Sequence, residues 1–402
     1  MLYFLKHKRE CTGCGACYCI CPVKCISMQT DEEGFLYPIA SDQCIGCGKC
    51  EKVCPQNTVI ASKNKFEKTA ISSVSRSRDI WQRSSSGGAF SEICNIWGDN
   101  DTLIVGAAWI GLHVKHICVK GVENITPLCK SKYIASFTND IFIQVKEGLS
   151  SGKKVIFSGT PCQVAGLNSY LGKKYDNLLT IDLICHGVGS PAVFLACINF
   201  LEQQFGRKIQ HYEFRAKRLV YDVDHLTKLV FTDNTEKYLS DDPYIQLFLS
   251  QRALRPSCAS PCVFRNENRP GDITIADCKG LFEMYPWLKG TKHNYSTVVA
   301  NTFKGESVVN RLGERMEILP CEISNVKKYN PLFYRQTYFP RDREDFFGDF
   351  ARNQILAISK WTEPYKESTQ TWKRKLYDQA PQFVRKWVSF VLNMRENNEQ
   401  RQ

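Results

Sequence analysis

The sequence lacks a long apolar run, since no stretch of its 402 residues approaches the roughly 18 apolar residues of a membrane-spanning helix. Its opening stretch, MLYFLKHKREC, holds too short an apolar segment for a secretory signal. It also contains no recognised DNA- or RNA-reading motif, so nucleic acid is not an expected partner. Together these absences predict a soluble cytoplasmic protein, and membrane contact is not expected.

Acidic residues are fewer than basic ones, 41 against 53, which leaves a formal net charge of +12. The simplest interpretation is solubility, and the sharper one is attraction to acidic partners such as a ferredoxin or an anionic cofactor. Hydrophobic residues make up 43% of the chain. That content is sufficient for one large domain and one small domain.

Cysteine is abundant, and eight of the 20 cysteines form two runs with the same spacing, C-x2-C-x2-C-x3-C followed by proline. This is the bacterial ferredoxin spacing, in which the fourth cysteine of each run binds the cluster of the other run. We therefore predict two 4Fe–4S clusters. The cluster-one cysteines are Cys11, Cys14, Cys17 and Cys54, and the cluster-two cysteines are Cys21, Cys44, Cys47 and Cys50.

Zinc and disulfides are the alternatives for these runs. Structural zinc sites usually show two C-x2-C halves separated by a spacer, without a third close cysteine and a Cys-Pro pair. Cysteines with cluster spacing also indicate a reducing compartment, which disfavours disulfides. Cys19 and Cys25 fall outside the spacing, and we predict that both are small buried apolar side chains.

Two later segments each predict a strand, a sharp turn and a helix: KKVIFSGTPCQVAGLNSYL and LLTIDLICHGVGSPAVFLACINFLEQQF. Thr160 and Ser190 are the predicted N-caps, each followed by proline. Consecutive units of this kind predict a partly parallel sheet covered by helices. Ligands usually bind at the carboxyl ends of such strands, where Cys162 and Cys185 lie.

Four cysteines in predicted loops form a second group, which we call the inner cysteines: Cys162, Cys185, Cys258 and Cys262. Four thiolates suffice for a third 4Fe–4S cluster, but their scattered positions leave zinc or buried free thiols as alternatives. The turn SSSGGAF (84–90) suits a phosphate or a flavin edge, or is a simple tight turn. His186 is either a proton donor near neutral pH or an ordinary loop histidine.

Several stretches together resemble the coenzyme F420 hydrogenase/dehydrogenase beta-subunit family: SSSGGAFSEI, VIFSGTPCQVAGL, IDLICHGVGSP, RPSC with PCVFRNENRPGDITIAD, and PRDREDFF. The likeness runs from about Trp81 to Phe350, and a ferredoxin domain fused in front is a common arrangement in the family. It implies a combined α+β and α/β fold. The expected parts are a 2x(4Fe–4S) domain (1–60), a linker (61–80), an α/β flavoprotein domain with a mixed sheet (81–350) and a basic helical tail (351–402).

The resemblance also implies an oxidoreductase that passes electrons between 4Fe–4S clusters and FAD, with coenzyme F420 (a deazaflavin) or a related two-electron substrate. The alternatives are a ferredoxin-dependent reductase of another organic substrate in a biosynthetic pathway, and a non-enzymatic electron-transfer subunit. The expected partners are a ferredoxin or hydrogenase/dehydrogenase subunits, and an anionic small-molecule substrate. Carried over by residue, the inner cysteines hold a third cluster and His186 is catalytic. The expected flavin contacts are Ser86, Gly87, Gly88, Thr160, Pro161 and Gln163.

The sequence departs from the family where Gly-Asp-Phe-Trp-Gly usually follows a late strand. Here the residues are Ala276, Asp277, Cys278, Lys279 and Gly280. A thiol and a cation therefore replace two aromatic side chains near the expected active region. Just before that strand, Arg269 and Asp272 match the family, either as a structural ion pair or as ligands.

Overall fold

The computed structural model describes residues 2, 5–57, 66–138, 140–217, 226–240, 242–259, 262–289, 294–364 and 366–367. The strands are β1 (Ile26–Thr30), β2 (Leu36–Ala40), β3 (Thr69–Ser75), β4 (Leu103–Ile110), β5 (His113–Lys120), β6 (Val155–Ser158), β7 (Leu178–Leu183), β8 (Ile209–Glu213), β9 (Thr227–Phe231), β10 (Glu236–Ser240), β11 (Ile273–Asp277), β12 (Ser296–Ala300), β13 (Met316–Cys321) and β14 (Lys366–Glu367). The helices are α1 (Ala16–Ile20), α2 (Lys49–Lys52), α3 (Arg78–Gln82), α4 (Ala89–Trp97), α5 (Ile141–Ser150), α6 (Pro161–Leu171), α7 (Pro191–Phe205), α8 (Pro243–Leu249), α9 (Leu281–Met284), α10 (Phe303–Val309), α11 (Ile323–Tyr329), α12 (Arg343–Arg352) and α13 (Gln354–Trp361).

The N-terminal unit consists of the antiparallel hairpin β1–β2 and the short helices α1 and α2. Each helix starts directly after a glycine in the left-handed conformation, Gly15 at φ 82° and Gly48 at φ 67°. Residues without a Cβ adopt this conformation at little cost, so these glycines let the chain turn tightly within each cysteine run. A small core that includes Phe35, Tyr37 and Ile26 holds the hairpin.

The main sheet has eight strands in the order β13-β3-β12-β11-β7-β6-β4-β5. Strands β4, β6, β7 and β11 are parallel neighbours, and the remaining pairs are antiparallel. The prediction of a large mixed sheet behind a small N-terminal unit is therefore confirmed. A second sheet has the order β14-β10-β9-β8. Of the helices that the structure describes, none has the length and apolar character needed to cross a membrane.

The two predicted strand–turn–helix units are present as β6–α6 and β7–α7. Thr160 is the N-cap of α6, and its N–H donates to Gln163 Oε1 at 3.0 Å. Ser190 is the N-cap of α7, and its Oγ accepts from Val193 N at 3.1 Å. Both predicted caps are confirmed. Because β6 and β7 are parallel, both loops emerge at one edge of the sheet.

Strand β3 lies within residues 61–80, which the sequence predicts as a linker. It pairs with β12 on one side and β13 on the other. Residues 70 and 72–75 of the strand are buried, because β3 occupies an interior position of the main sheet. The predicted helical tail (351–402) includes α13, whereas residues 368–402 of it lie outside the described residues.

Arg269 forms a buried ion pair, but its partner is Asp182 at the end of β7. The Nη2–Oδ1 distance is 2.8 Å, and both side chains are fully buried. Asp182 also accepts from Thr274 Oγ1 at 2.7 Å and from Gly271 N at 3.0 Å. Asp272 instead accepts from the backbone N–H of a neighbouring strand and two hydroxyl groups. The expected pairing of Arg269 with Asp272 is therefore wrong, and the Arg269–Asp182 pair fixes the loop that precedes β11.

Replacing Asp182 with alanine should lower the free energy of unfolding by about 3–5 kcal/mol, because it leaves the Arg269 charge buried and unpaired. Anaerobic urea denaturation followed by circular dichroism measures the change. Asp101→Ala, which breaks an exposed ion pair with Lys120 (2.7 Å), is the control and should have a much smaller effect. Equal effects of the two substitutions would contradict a stabilising role for the buried pair.

Candidate functional site

The cluster-one cysteines come together in the structure, and all four line one cavity. Burial, together with the nearby Cys54 and Cys11 side chains, raises the pKa of Cys14 to about 12. Burial likewise raises the pKa of Cys17, which also interacts with Cys54. Cys54 belongs to the second run in sequence, yet it lies among three cysteines of the first.

The cluster-two cysteines form a separate group at the protein surface. The pKa of Cys50 is raised by burial and by the thiolates of Cys44 and Cys47. Cys21 from the first run is linked to this group through Cys25, whose Sγ lies 3.5 Å from Cys21 Sγ and which also interacts with Cys44. Cys44 and Cys47 are exposed, whereas the cluster-one residues Cys11 and Cys14 are buried.

Cys25 is a residue whose position the sequence did not predict, because it lies outside the repeated spacing. It is buried, as predicted, but it contacts a cluster-two cysteine instead of only apolar side chains. Cys19 is also buried and packs with apolar residues of α5 and α6, so its predicted structural role is confirmed.

The inner cysteines also meet, although they are scattered in sequence. Cys162 is in the first turn of α6, Cys185 follows β7, and Cys258 ends a 3-10 helix (Pro256–Cys258). Burial raises the pKa of Cys162 to about 12, and the thiolates of Cys258 and Cys262 add to this effect. Burial and the same neighbours raise the pKa of Cys185. Four partly buried thiols that lie close together are a donor set suited to a cationic centre.

Within the described ranges, no three His, Cys, Asp or Glu side chains converge on a point where one metal ion would sit. A cubane cluster has a different requirement, because its four thiolates surround a volume that contains four irons. The cavity lined by all the cluster-one cysteines has this form. The residues present therefore fit a cubane at cluster one.

The N-terminal unit packs against α6, whose first turn carries the inner cysteine Cys162. Thr138 Oγ1 donates to the carbonyl oxygen of Cys14 at 3.0 Å. A Cβ on Gly166 of α6 would come within 2.9 Å of Cys14 Sγ, so only glycine allows this approach without a shift. Cys14 and Cys162 are close enough to interact electrostatically. Cluster one therefore faces the inner cysteines, and cluster two faces outward.

The predicted flavin contacts in SSSGGAF lie at the end of β3. Ser86 Oγ donates to the carbonyl oxygen of Tyr295 at 2.7 Å, and Gly87 N donates to Ser296 Oγ at 2.9 Å. A Cβ on Gly87 would lie 2.2 Å from the carbonyl oxygen of Ser73. Gly87 thus has a packing role between β3 and β12, and its N–H is already used. Gly88, at φ 96°, is the N-cap of α4.

The other predicted contacts lie at the start of α6. Thr160 and Gln163 line a cavity together with Cys162, Gly13 and Arg255, where the N-terminal unit meets the α/β domain. Pro161 is the first residue of the helix and is buried. These residues therefore lie beside the inner cysteine Cys162, close to the first cysteine run.

His186 follows the inner cysteine Cys185. Its Nε2 lies 3.3 Å from the carbonyl oxygen of Phe248, and its ring packs on the Phe248 ring at 5.0 Å between centroids. Arg265 donates to the His186 carbonyl oxygen at 2.5 Å. The His186 ring is therefore held in a fixed orientation beside the inner cysteines.

The departure from the family pattern lies near the SSSGGAF turn. Cys278 Sγ is 3.1 Å from Ser72 Oγ, and its backbone N–H donates to the Tyr295 carbonyl, which also accepts from Ser86. Asp277 forms an ion pair with the largely buried side chain of Arg215. The replaced residues therefore border the turn predicted to contact the flavin.

The fold and the cysteine groups define an iron–sulfur protein in which a small two-cluster unit is docked on a larger α/β domain. Residues 10–58 match the 4Fe–4S dicluster domain family. Residues 152–330 match the family described as the C terminus of the coenzyme F420 hydrogenase/dehydrogenase beta subunit. The chain is accordingly an oxidoreductase, and the match to this family covers somewhat less than half of its length.

No curated protein matches the chain. Among solved structures, one similar chain comes from the F420-reducing [NiFe] hydrogenase complex of Methanosarcina barkeri. It is 15% identical, and the match covers 73% of this chain and 90% of that one with a TM-score of 0.42. A likeness this weak does not bear on the fold.

Proposed function

We propose that the protein is an iron–sulfur flavoprotein that exchanges electrons between a one-electron carrier and coenzyme F420 or a related two-electron substrate. The observation that carries this proposal is the order of the three cysteine groups. The exposed cluster-two cysteines, the buried cluster-one cysteines and the inner cysteines follow one another from the surface to the edge of the main sheet. Each group would hold one 4Fe–4S cluster, with the inner set holding the third.

Cysteine groups that are neighbours in this order also interact with each other. Cys54 of cluster one interacts with Cys50 of cluster two, and Cys14 of cluster one interacts with the inner residue Cys162. The burial of Cys11 and Cys14 excludes water from the middle position. The chain's own contribution is thus to hold the three positions in sequence and to shield cluster one from water.

FAD, when bound, would supply chemistry that proceeds in either one-electron or two-electron steps. Its predicted contact residues lie along one edge of the main sheet, because β3, β11, β7 and β6 run in the same direction. Ser86 and Thr160 follow strands that are four positions apart, about 19 Å at the usual strand spacing. One extended cofactor, rather than a single ring, would reach both sets. His186 would serve as a proton donor at the Cys185 end.

The surface at cluster two is the proposed docking site for a redox partner protein, either a ferredoxin or a hydrogenase/dehydrogenase subunit. Ile45 lies between Cys44 and Cys47 and is 64% exposed. An exposed apolar side chain beside exposed cysteines suits close approach by a carrier. The net charge of +12 favours an acidic partner or an anionic deazaflavin.

Anaerobically purified protein should contain iron, sulfide and flavin together, and adding reduced deazaflavin should bleach the visible absorption of both flavin and clusters. Protein with clusters and flavin that deazaflavin does not bleach would contradict the proposed substrate. That result would favour a ferredoxin-dependent reductase of another organic compound, which the replacement of two aromatics by Cys278 and Lys279 supports. Protein that keeps its clusters but never retains flavin would instead be a non-enzymatic electron-transfer subunit.

A further inference from the structure

The side chain of Arg255 lies between the cluster-one and the inner cysteines. It is 2% exposed. Its Nε donates to the Cys11 carbonyl oxygen at 2.8 Å, and its Nη2 lies 3.6 Å from Cys11 Sγ. Nη2 also donates to the Leu36 carbonyl oxygen at 2.9 Å. On the other side, the Cys258 N–H donates to the Arg255 carbonyl at 2.9 Å. One buried arginine therefore touches both proposed cluster sites.

The side chains that act most strongly on the Arg255 charge are those of Cys11, Tyr37 and Cys258, and none of them is a carboxylate. Two other buried arginines differ in this respect, since Arg269 and Arg343 are each paired with a carboxylate. A buried charge is unfavourable unless a charge of opposite sign accompanies it. At Arg255 that opposite charge would come from cluster-bound thiolates.

The first cysteine run is shaped to admit this guanidinium. Gly13, between Cys11 and Cys14, has φ 72°, and a Cβ there would come within 2.9 Å of Arg255 Nη1. The Tyr37 ring covers the guanidinium at 4.3 Å from its centroid. The position of the charge is therefore determined by several contacts.

We propose that Arg255 is a positioning residue that raises the reduction potential of cluster one by holding its charge against Cys11. This inference rests on the proposed function, because it assumes that electrons pass from cluster one to the inner cysteines. On reduction the cluster accepts one electron from a one-electron donor and gains one negative charge, and no proton moves. A fixed cation and a hydrogen bond to a ligating sulfur both favour that reduced form.

The burial of cluster one explains why such a charge is needed. Cys11 and Cys14 are buried, and Cys44 and Cys47 are exposed. A buried cluster gains negative charge less readily than one in contact with water. Without a compensating cation, cluster one would be harder to reduce than cluster two, and inward electron flow would be opposed. Arg255 offsets that difference at the middle position.

The test is an anaerobic redox titration of the full chain, with the clusters observed by electron paramagnetic resonance. A water-soluble dysprosium chelate identifies exposed cluster two, because it broadens the signal of that cluster most. Arg255→Gln should change the reduction equilibrium constant of the shielded cluster one at least tenfold. This corresponds to a midpoint potential lower by about 59 mV or more. Arg255→Lys keeps the charge but not the paired hydrogen bonds, and should give a smaller decrease.

Arg343→Gln is the matched control. Arg343 is also buried and joins the same two units, since it binds Glu33 at 2.6 Å and the Leu254 carbonyl at 2.7 Å, but it forms no hydrogen bond with a cysteine among the described residues. Its replacement should change the reduction equilibrium constant of cluster one less than twofold, so the midpoint potential should stay almost the same. Unchanged midpoints in Arg255→Gln would overturn the proposal. So would a failure of both Arg255 variants to assemble cluster one, because that result would make the role structural. None of these readouts depends on deazaflavin, so a failed substrate assay would leave the result interpretable.

Discussion

A Cys54→Ala protein is expected to lose cluster one and keep cluster two, although Cys54 belongs to the second cysteine run. Cys54 lies with Cys11, Cys14 and Cys17 in the structure, so its removal leaves cluster one with three thiolates. Iron content should fall by about four per chain, or by about one if a three-iron cluster remains. Electron transfer from an external carrier to the interior should stop, because the middle position is lost.

Iron analysis and electron paramagnetic resonance with the dysprosium chelate measure which cluster remains. The surviving N-terminal signal should be the exposed one in Cys54→Ala and the shielded one in Cys21→Ala. Cys321→Ala, outside all three cysteine groups, should keep full iron content. If Cys54→Ala instead kept the shielded signal and Cys21→Ala the exposed one, the assignment of Cys54 to cluster one and Cys21 to cluster two would be refuted.

Cys185→Ala is expected to abolish the inner cluster and to separate the N-terminal clusters from the substrate. Cys185 interacts with Cys258, Cys162 and Cys262, and all four side chains are partly buried. About four irons should be lost, while both N-terminal signals remain. Reduced deazaflavin should then bleach flavin but no longer reduce the N-terminal clusters.

Cys197→Ala is the matched control, because Cys197 is a buried cysteine of α7 that packs in an apolar core. It should keep full iron content and normal reduction of the N-terminal clusters. An iron content that is the same in Cys185→Ala and the unsubstituted protein would remove the third cluster from the proposal. Release of zinc from the inner cysteines would favour the zinc alternative.

The features that the sequence predicted are encoded by short-range spacing. The cysteine runs, the N-caps Thr160 and Ser190 and the strands that precede them are all local patterns. For the inner cysteines, loop positions alone left zinc and free thiols as alternatives, and the resemblance to a family strengthened their grouping, since 96 residues separate Cys162 from Cys258. Local patterns do not specify which distant segments become neighbours.

The features that the sequence did not predict depend on tertiary contacts. Arg255 has no partner at a recognisable spacing, because Cys11 is 244 residues away. The same holds for Arg269, because its partner is Asp182, 87 residues earlier, and not the nearby Asp272. Strand β3 was missed because its polar flanks are typical of a linker, whereas two late strands determine its position in the sheet.

The interior position of β3 has a consequence for biosynthesis. Ser73 pairs with Ser296, which the ribosome adds about 220 residues later, or roughly 10–45 s at usual elongation rates. Throughout that interval the nascent chain already displays all eight cysteines of the first two runs, while the body that will cover Cys11 and Cys14 is incomplete. Metal-delivery factors would therefore have access to the buried position before the sheet closes, and much less access afterwards.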